Sequence, residues 1–183
     1  MGIAAPKEEN IVEFTLDVAF DSSVGEPDPH KPTAMTRRFG LDRDGKWEAL
    51  GDTRLTVNQY SSIRLGVFDT GGSDPAELVQ IVIDFDPPSQ TKAAWSPFGD
   101  DPVIAIAPGS PSLHQLDPPI ESEVLNLDAK AGWVVGPFQA LNTGTFRGNV
   151  TVYLAMKDGT KKIFTTDPEM IVEGAGPVEG RPE

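Results

Sequence analysis

The sequence predicts an all-β fold: a two-layer antiparallel β-sandwich, immunoglobulin-like or jelly-roll-like, with a long Pro-rich acidic loop. Three observations carry this. Short segments alternate apolar and polar residues with a period of two. Turn dipeptides fall between those segments. Almost nothing repeats at helical spacing, which leaves only 75–78 and 126–131 as short helical candidates.

The first strand places Val12, Phe14, Leu16, Val18 and Phe20 on one face and Glu13, Thr15 and Asp17 on the other. Successive side chains of a strand point to opposite sides, so this segment should have one dry and one wet face. Residues 21–33 hold Pro27, Pro29 and Pro32 and read as a loop. Asp44-Gly45, between Phe39-Gly40-Leu41 and Trp47, has the chemistry of a tight hairpin turn. Ile63, Leu65 and Val67 alternate with Arg64 and Gly66. After Gly71-Gly72, residues 78–85 are more uniformly apolar and read as a central strand, with Val79, Ile81, Ile83 and Phe85 inward. Val150, Val152, Leu154 and Met156 alternate with Thr151, Tyr153 and Ala155, and Asp158-Gly159 turns this strand back toward Ile163. Short turns without intervening helices point to two packed antiparallel sheets.

At 183 residues the chain has the length of one large β-sandwich. The expected organisation is an N-terminal arm at 1–10, a single domain at 11–172 and a flexible Gly- and Pro-rich tail at 173–183. Within the domain, 86–131 stands out as a loop or insert. Eight of the seventeen prolines lie between Pro87 and Pro119, and no Lys or Arg occurs between Lys92 and Lys130. One short strand at 103–107 should interrupt it. Long structureless loops in compact domains tend to be functional or disordered.

The chain has no cysteine, which excludes disulfides and thiolate metal sites and fits a reducing compartment. Its net charge of −13 repels phosphate backbones and anionic headgroups, so neither nucleic acid nor membrane is an expected partner. The N-terminus lacks the charge and apolar run of a secretory signal, and Pro6 stands where a myristoylation motif needs Ser or Thr. A cytoplasmic location is expected, and no cofactor.

Few motifs carry chemistry. Asp69-Thr70-Gly71 follows the apolar run Leu65-Gly66-Val67-Phe68, the placement of the catalytic turn in aspartic proteases. There, two aspartates share a proton and activate water. With one such triplet, Asp69 would need a homodimer; Trp133-Val134-Val135-Gly136 would supply the apolar-apolar-Gly segment that follows. The competing reading is plain turn chemistry, since Asp, Gly and Ser all favour turns. Asp42-Arg43-Asp44-Gly45 fails as an EF-hand because Lys46, Trp47 and Thr53 occupy the positions that need an oxygen ligand, Gly and Glu. His30 and His114, both beside Pro-rich stretches, have no Cys to complete a zinc site, and no metal is expected. Trp47, Trp95 and Trp133 could stack on sugars. Trp95, with Asp100 and Asp101 following it in the long loop, is the best ligand-binding candidate.

The C-terminal segment Val150-Thr151-Val152-Tyr153-Leu154, Asp158-Gly159, Ile163-Phe164-Thr165-Thr166-Asp167-Pro168-Glu169-Met170-Ile171-Val172 resembles the end of bacterial inclusion-body proteins of the PixA/AidA type. That family closes with a hairpin, an aromatic stretch, Asp-Pro and a final apolar strand. Gly66-Val67-Phe68, Ser73-Asp74 and Leu78-Val79-Gln80-Ile81-Val82-Ile83 are also similar, as is the opening strand followed by a Pro-rich loop. The resemblance implies a cytoplasmic bacterial protein that accumulates at high density, self-associates and has no established catalytic residues.

The leading expectation is therefore a non-enzymatic, self-associating or inclusion-type β-sandwich. It would form homo-oligomers through sheet edges, which readily pair between chains, or through 86–131. A small-ligand or glycan-binding module and a homodimeric aspartic protease are the alternatives.

Overall fold

A computed structural model describes residues 13–24, 30–71, 76–88 and 94–174. The arm at 1–10, most of the tail at 173–183 and Gly72 of the Gly71-Gly72 turn lie outside these residues. The described chain is all-β, with two sheets in a layered arrangement.

The front sheet runs, in spatial order, β4 (Lys46–Ala49), β3 (Thr36–Arg43), β1 (Glu13–Phe20), β6 (Ser62–Asp69), β12 (Ala131–Gln139) and β9 (Leu113–Gln115). The back sheet is built on the long strand β13 (Gly144–Ala155). On one side of β13 lie β7 (Glu77–Phe85) and then β8 (Val103–Ile106). On the other lie β14 (Lys161–Thr166) and β15 (Glu169–Glu173), backed by β2 (Thr33–Ala34) and β5 (Arg54–Asn58). Pairs Val150↔Thr166 and Arg147↔Glu169 share one register, so β14 and β15 are one extended run broken at Asp167-Pro168. Proline cannot donate to the ladder, which accounts for the break. The Pro168 carbonyl still accepts from Gly148 N–H at 2.9 Å.

Asp44-Gly45 and Asp158-Gly159 do turn hairpins, β3–β4 and β13–β14. Asp44 and Gly45 both take positive φ, 53° and 84°, the backbone that matches strand twist in a two-residue turn. The sheets are not uniformly antiparallel, however. β1 runs parallel to β6, β2 to β14 and β5 to β15. Each pairing follows a passage of the chain from one sheet to the other, so it was invisible to local turn chemistry.

The core lies between the sheets, where Leu16, Val18, Leu65 and Val67 of the front meet Ile81, Val152, Leu154 and Phe164 of the back. Phe14 packs at its margin. Phe20 stacks on Phe164 with ring centroids 4.7 Å apart, a direct contact between layers.

Three further expectations are corrected. Among the described residues neither helical candidate is helical: Glu77 and Leu78 open β7, Leu127–Ala129 is β11, and Pro75 lies outside the described residues. Val79 points outward at 45 % exposure because the β7–β13 register shifts by a bulge between Tyr153 and Leu154, which puts Leu78 into the core instead. Among the described residues of 86–131 there are four short strands rather than one: β8, β9, β10 (Ile120–Ser122) and β11 (Leu127–Ala129). The last two form a hairpin that lies on the outer side of the front sheet, where Ile120 packs with Ala19 and Phe68 and with Leu116, Leu125 and Leu127.

That hairpin overturns the reading of β1. Every residue from Thr15 to Phe20 is buried, including the expected wet face: Thr15 is fully covered and Asp17 is 2 % exposed. The front sheet makes room for its cover with glycines. A Cβ on Gly66 would lie 2.6 Å from Asp17 Oδ1, and one on Gly132 would lie 2.8 Å from Ile120. One on Gly40 would collide with Val124 at the hairpin tip. Glycine inside a strand often marks such close approach.

Candidate functional site

Two places combine exposure or cavity with unusual chemistry. The first is the free edge of the back sheet. Among the described residues β8 pairs only with β7. Phe85 N–H donates to Pro102 C=O at 3.0 Å, so alternate residues Ile104 and Ile106 aim their backbone groups at β7. The backbone groups of Val103 and Ala105 then face outward along the edge. The strand Val103-Ile104-Ala105-Ile106 carries no charge, and Val103 is 54 % exposed. Pro102 and Pro108 bracket it.

The predicted ligand candidates lead into this edge. Trp95 is half exposed, and Asp100 and Asp101 are exposed just ahead of β8. Their loop is rigidly hung. Asn142 Nδ2 donates to the Ser96 and Gly99 carbonyls at 2.8 and 3.0 Å, Leu141 N–H donates to Pro97 C=O, and Phe98 stacks on Phe138. Beside it, Leu141 and Tyr60 are also exposed, and Tyr60 N–H reaches Ala140 C=O at 2.6 Å. Tyr60 holds φ of 75°, uncommon for a bulky residue.

The second place is a cavity of about 280 Å³ between the front sheet and its covering hairpin. At its floor Asp17 Oδ1 accepts from Thr15 Oγ1 and Asp17 Oδ2 accepts from Ser122 Oγ, each at 2.6 Å. Burial pushes the Asp17 carboxyl above its ordinary value, opposed by those two hydroxyls and by the positive charge of Arg64. Arg64 donates through Nε to Thr15 Oγ1 at 3.3 Å, and its guanidinium lies 4.1 Å over the ring of Trp47. Trp47 N–H, on the edge strand β4, donates to Glu123 Oε2 at 3.2 Å, so the hairpin tip also covers that edge. Asp117, Glu121 and Glu123 line the rim. Asp17 and Arg64 were not chosen as ligand groups from the sequence, and Trp47 was named only as one of three tryptophans that could stack on sugars. The signal was present in a charge set inside the apolar run Leu16-Asp17-Val18 and in the strand glycines Gly40, Gly66 and Gly132.

Asp69, Thr70 and Gly71 sit at the end of β6 in a tight local network. Asp69 is buried, and its Oδ1 accepts from the amides of Ser22 and Gly71, each at 3.0 Å. The N–H of Thr70 donates to Phe20 C=O at 2.8 Å, and its Oγ1 does so at 3.2 Å. These are the bonds of a turn that ties β6 to the end of β1. Trp133 is buried in the core on β12. His114 lies on β9, opposite Val134, rather than in a loop. An apolar void between the sheets near Phe85, Phe98 and Phe138 measures about 40 Å³, far below the size of a ligand pocket. Among the described residues no three of His, Cys, Asp and Glu are placed to hold a metal ion together.

Compared with known proteins, the chain matches no family model and no curated protein.

Proposed function

We propose that this protein is a non-enzymatic β-sandwich, of the immunoglobulin-like or jelly-roll-like kind, that self-associates through its β8 edge. One observation carries the reading: an uncharged, exposed strand edge in a chain of net charge −13, with the amides of Val103 and Ala105 facing outward. Such an edge is a template for a second strand. The Pro-rich, acidic segment 86–131 supplies it. Antiparallel pairing of β8 with β8 of a second copy suits the charges, because it sets the Asp100-Asp101 pairs of the two copies at opposite ends of the new ladder. Parallel pairing would stack them. Four residues bury little area, so the contact is weak and concentration-dependent. That is the behaviour of a protein stored at high density in the cytoplasm, and it agrees with the resemblance to bacterial inclusion-body proteins.

Sedimentation across a concentration series tests this. The wild type should shift from monomer toward dimer and higher species, more so as salt screens the net charge. Ala105→Pro removes one outward N–H while leaving the bonds to β7 intact, and it should keep the chain monomeric. A wild type that stays monomeric at high concentration and high salt, or an Ala105→Pro variant that associates equally well, overturns the proposal.

A further inference from the structure

We propose that the cavity between the front sheet and the β10–β11 hairpin binds a small neutral saccharide, held by Arg64, Trp47 and the rim carboxylates above the buried Asp17. This goes beyond self-association and uses a different face of the molecule from the β8 edge.

Shape and chemistry point the same way. The cavity, about 280 Å³, is close to the lower bound of small-molecule pockets. A second open hollow, which shares Trp47, Glu121, Ser122 and Glu123 with it and adds Lys46 and Asp128, continues it outward. Its floor is rigid. Asp17 is held by two hydroxyls, one from the sheet and one from the hairpin, and Gly66 leaves no slack beside it. Ser122 Oγ also accepts from Leu125 N–H at 2.9 Å, which fixes the hairpin turn that forms the wall.

The donors and acceptors are mixed. Arg64 spends Nε on Thr15, and among the described residues Nη1 and Nη2 have no acceptor. Trp47 Nε1 likewise has none among them. Against these donors stand the carboxylates of Asp117, Glu121 and Glu123, all exposed at the rim. A hydroxyl group donates and accepts at once, so a polyol satisfies both sets. The charge balance discriminates further. Four carboxylates and one guanidinium line the cavity, which disfavours phosphates and carboxylic acids. The guanidinium stacked on Trp47 already occupies the aromatic face that an organic cation would seek. Ile120, Val124 and Val134 add the apolar wall against which the carbon face of a sugar ring packs.

The test is an NMR titration of the full chain with D-glucose, D-galactose and D-mannose, with spermidine and glycine as charged comparators. At least one sugar should shift the Trp47 indole and Arg64 side-chain signals saturably, with a Kd on the order of 1 mM. Arg64→Lys, which keeps the charge and loses the planar fork, should weaken that binding about tenfold. Glu121→Gln, at the exposed rim, should weaken it severalfold, and Trp95→Phe should leave it unchanged. If no sugar shifts these signals, if only spermidine or glycine does, or if both Arg64→Lys and Glu121→Gln bind like the wild type, the proposal is overturned.

Discussion

The two outer faces of the sandwich carry similar sequence patterns and meet different fates. On the front sheet, β1 alternates Phe14, Leu16 and Val18 with Thr15 and Asp17, yet both sides are buried. On the back sheet, β13 alternates Val150, Val152 and Leu154 with Thr151 and Tyr153, and its second side stays partly open. The open face is finished by cross-strand pairs. Thr151 and Thr165 share a hydrogen bond at 3.3 Å, Asn149 donates to Asp84 at 2.9 Å, and Arg54 and Arg147 flank Glu169. The front face is finished by a third layer. Alternation reports that one face is apolar; it does not report whether the other face sees water.

The largest difference should appear on adding volume to each face. Gly66→Val would drive a side chain into Asp17 and Phe68, and should cost about 3 kcal/mol in chemical denaturation. Thr151→Val on the open face should change stability by less than about 0.5 kcal/mol. Equal effects would remove the distinction.

Removing the tie comes next. Asp17→Ala leaves the buried hydroxyl of Ser122 without its acceptor and that of Thr15 with only the Arg64 carbonyl at 3.4 Å, and should cost about 2 kcal/mol. The hairpin amides 120–129 should then exchange faster with deuterium while β13 is unchanged.

A smaller effect depends on pH. Burial raises the Asp17 carboxyl in the folded state. Between the unfolded value and the raised folded one, the native chain holds a proton that the unfolded chain has released. Asp17 therefore contributes stability that is full below the unfolded value and is lost as pH rises through the folded one. Denaturation of the wild type against Asp17→Asn should show the wild type losing ground across that window and the difference holding constant above it. The smallest effect is on the β8 edge, where Ala105→Pro should leave the melting temperature nearly unchanged while abolishing association.

Much of the layering was legible. The inward sets Leu65, Ile81 and Val152 and the turns at Asp44-Gly45 and Asp158-Gly159 follow from period and turn chemistry alone. The parallel neighbours β1 and β6 were not legible, because residues 49 positions apart meet only through tertiary packing. Segment 86–131 misled for a physical reason. Its strands are three or four residues long, too short to show a period, and they are defined by the strands they pair with. The same cause hid the cavity. Asp17 and Trp47 acquire their meaning only when Ser122 and Glu123 are laid over them. Trp95, Asp100 and Asp101 lie in the segment that leads into β8.

The covered front face is tested most directly by the titration of the Asp17 carboxyl carbon, followed by NMR. A carboxyl sealed beneath the hairpin should titrate above the ordinary aspartate range and shift further upward in Ser122→Ala. A midpoint at or below that range, unmoved by Ser122→Ala, would mean that water reaches Asp17 and that the front sheet has no third layer.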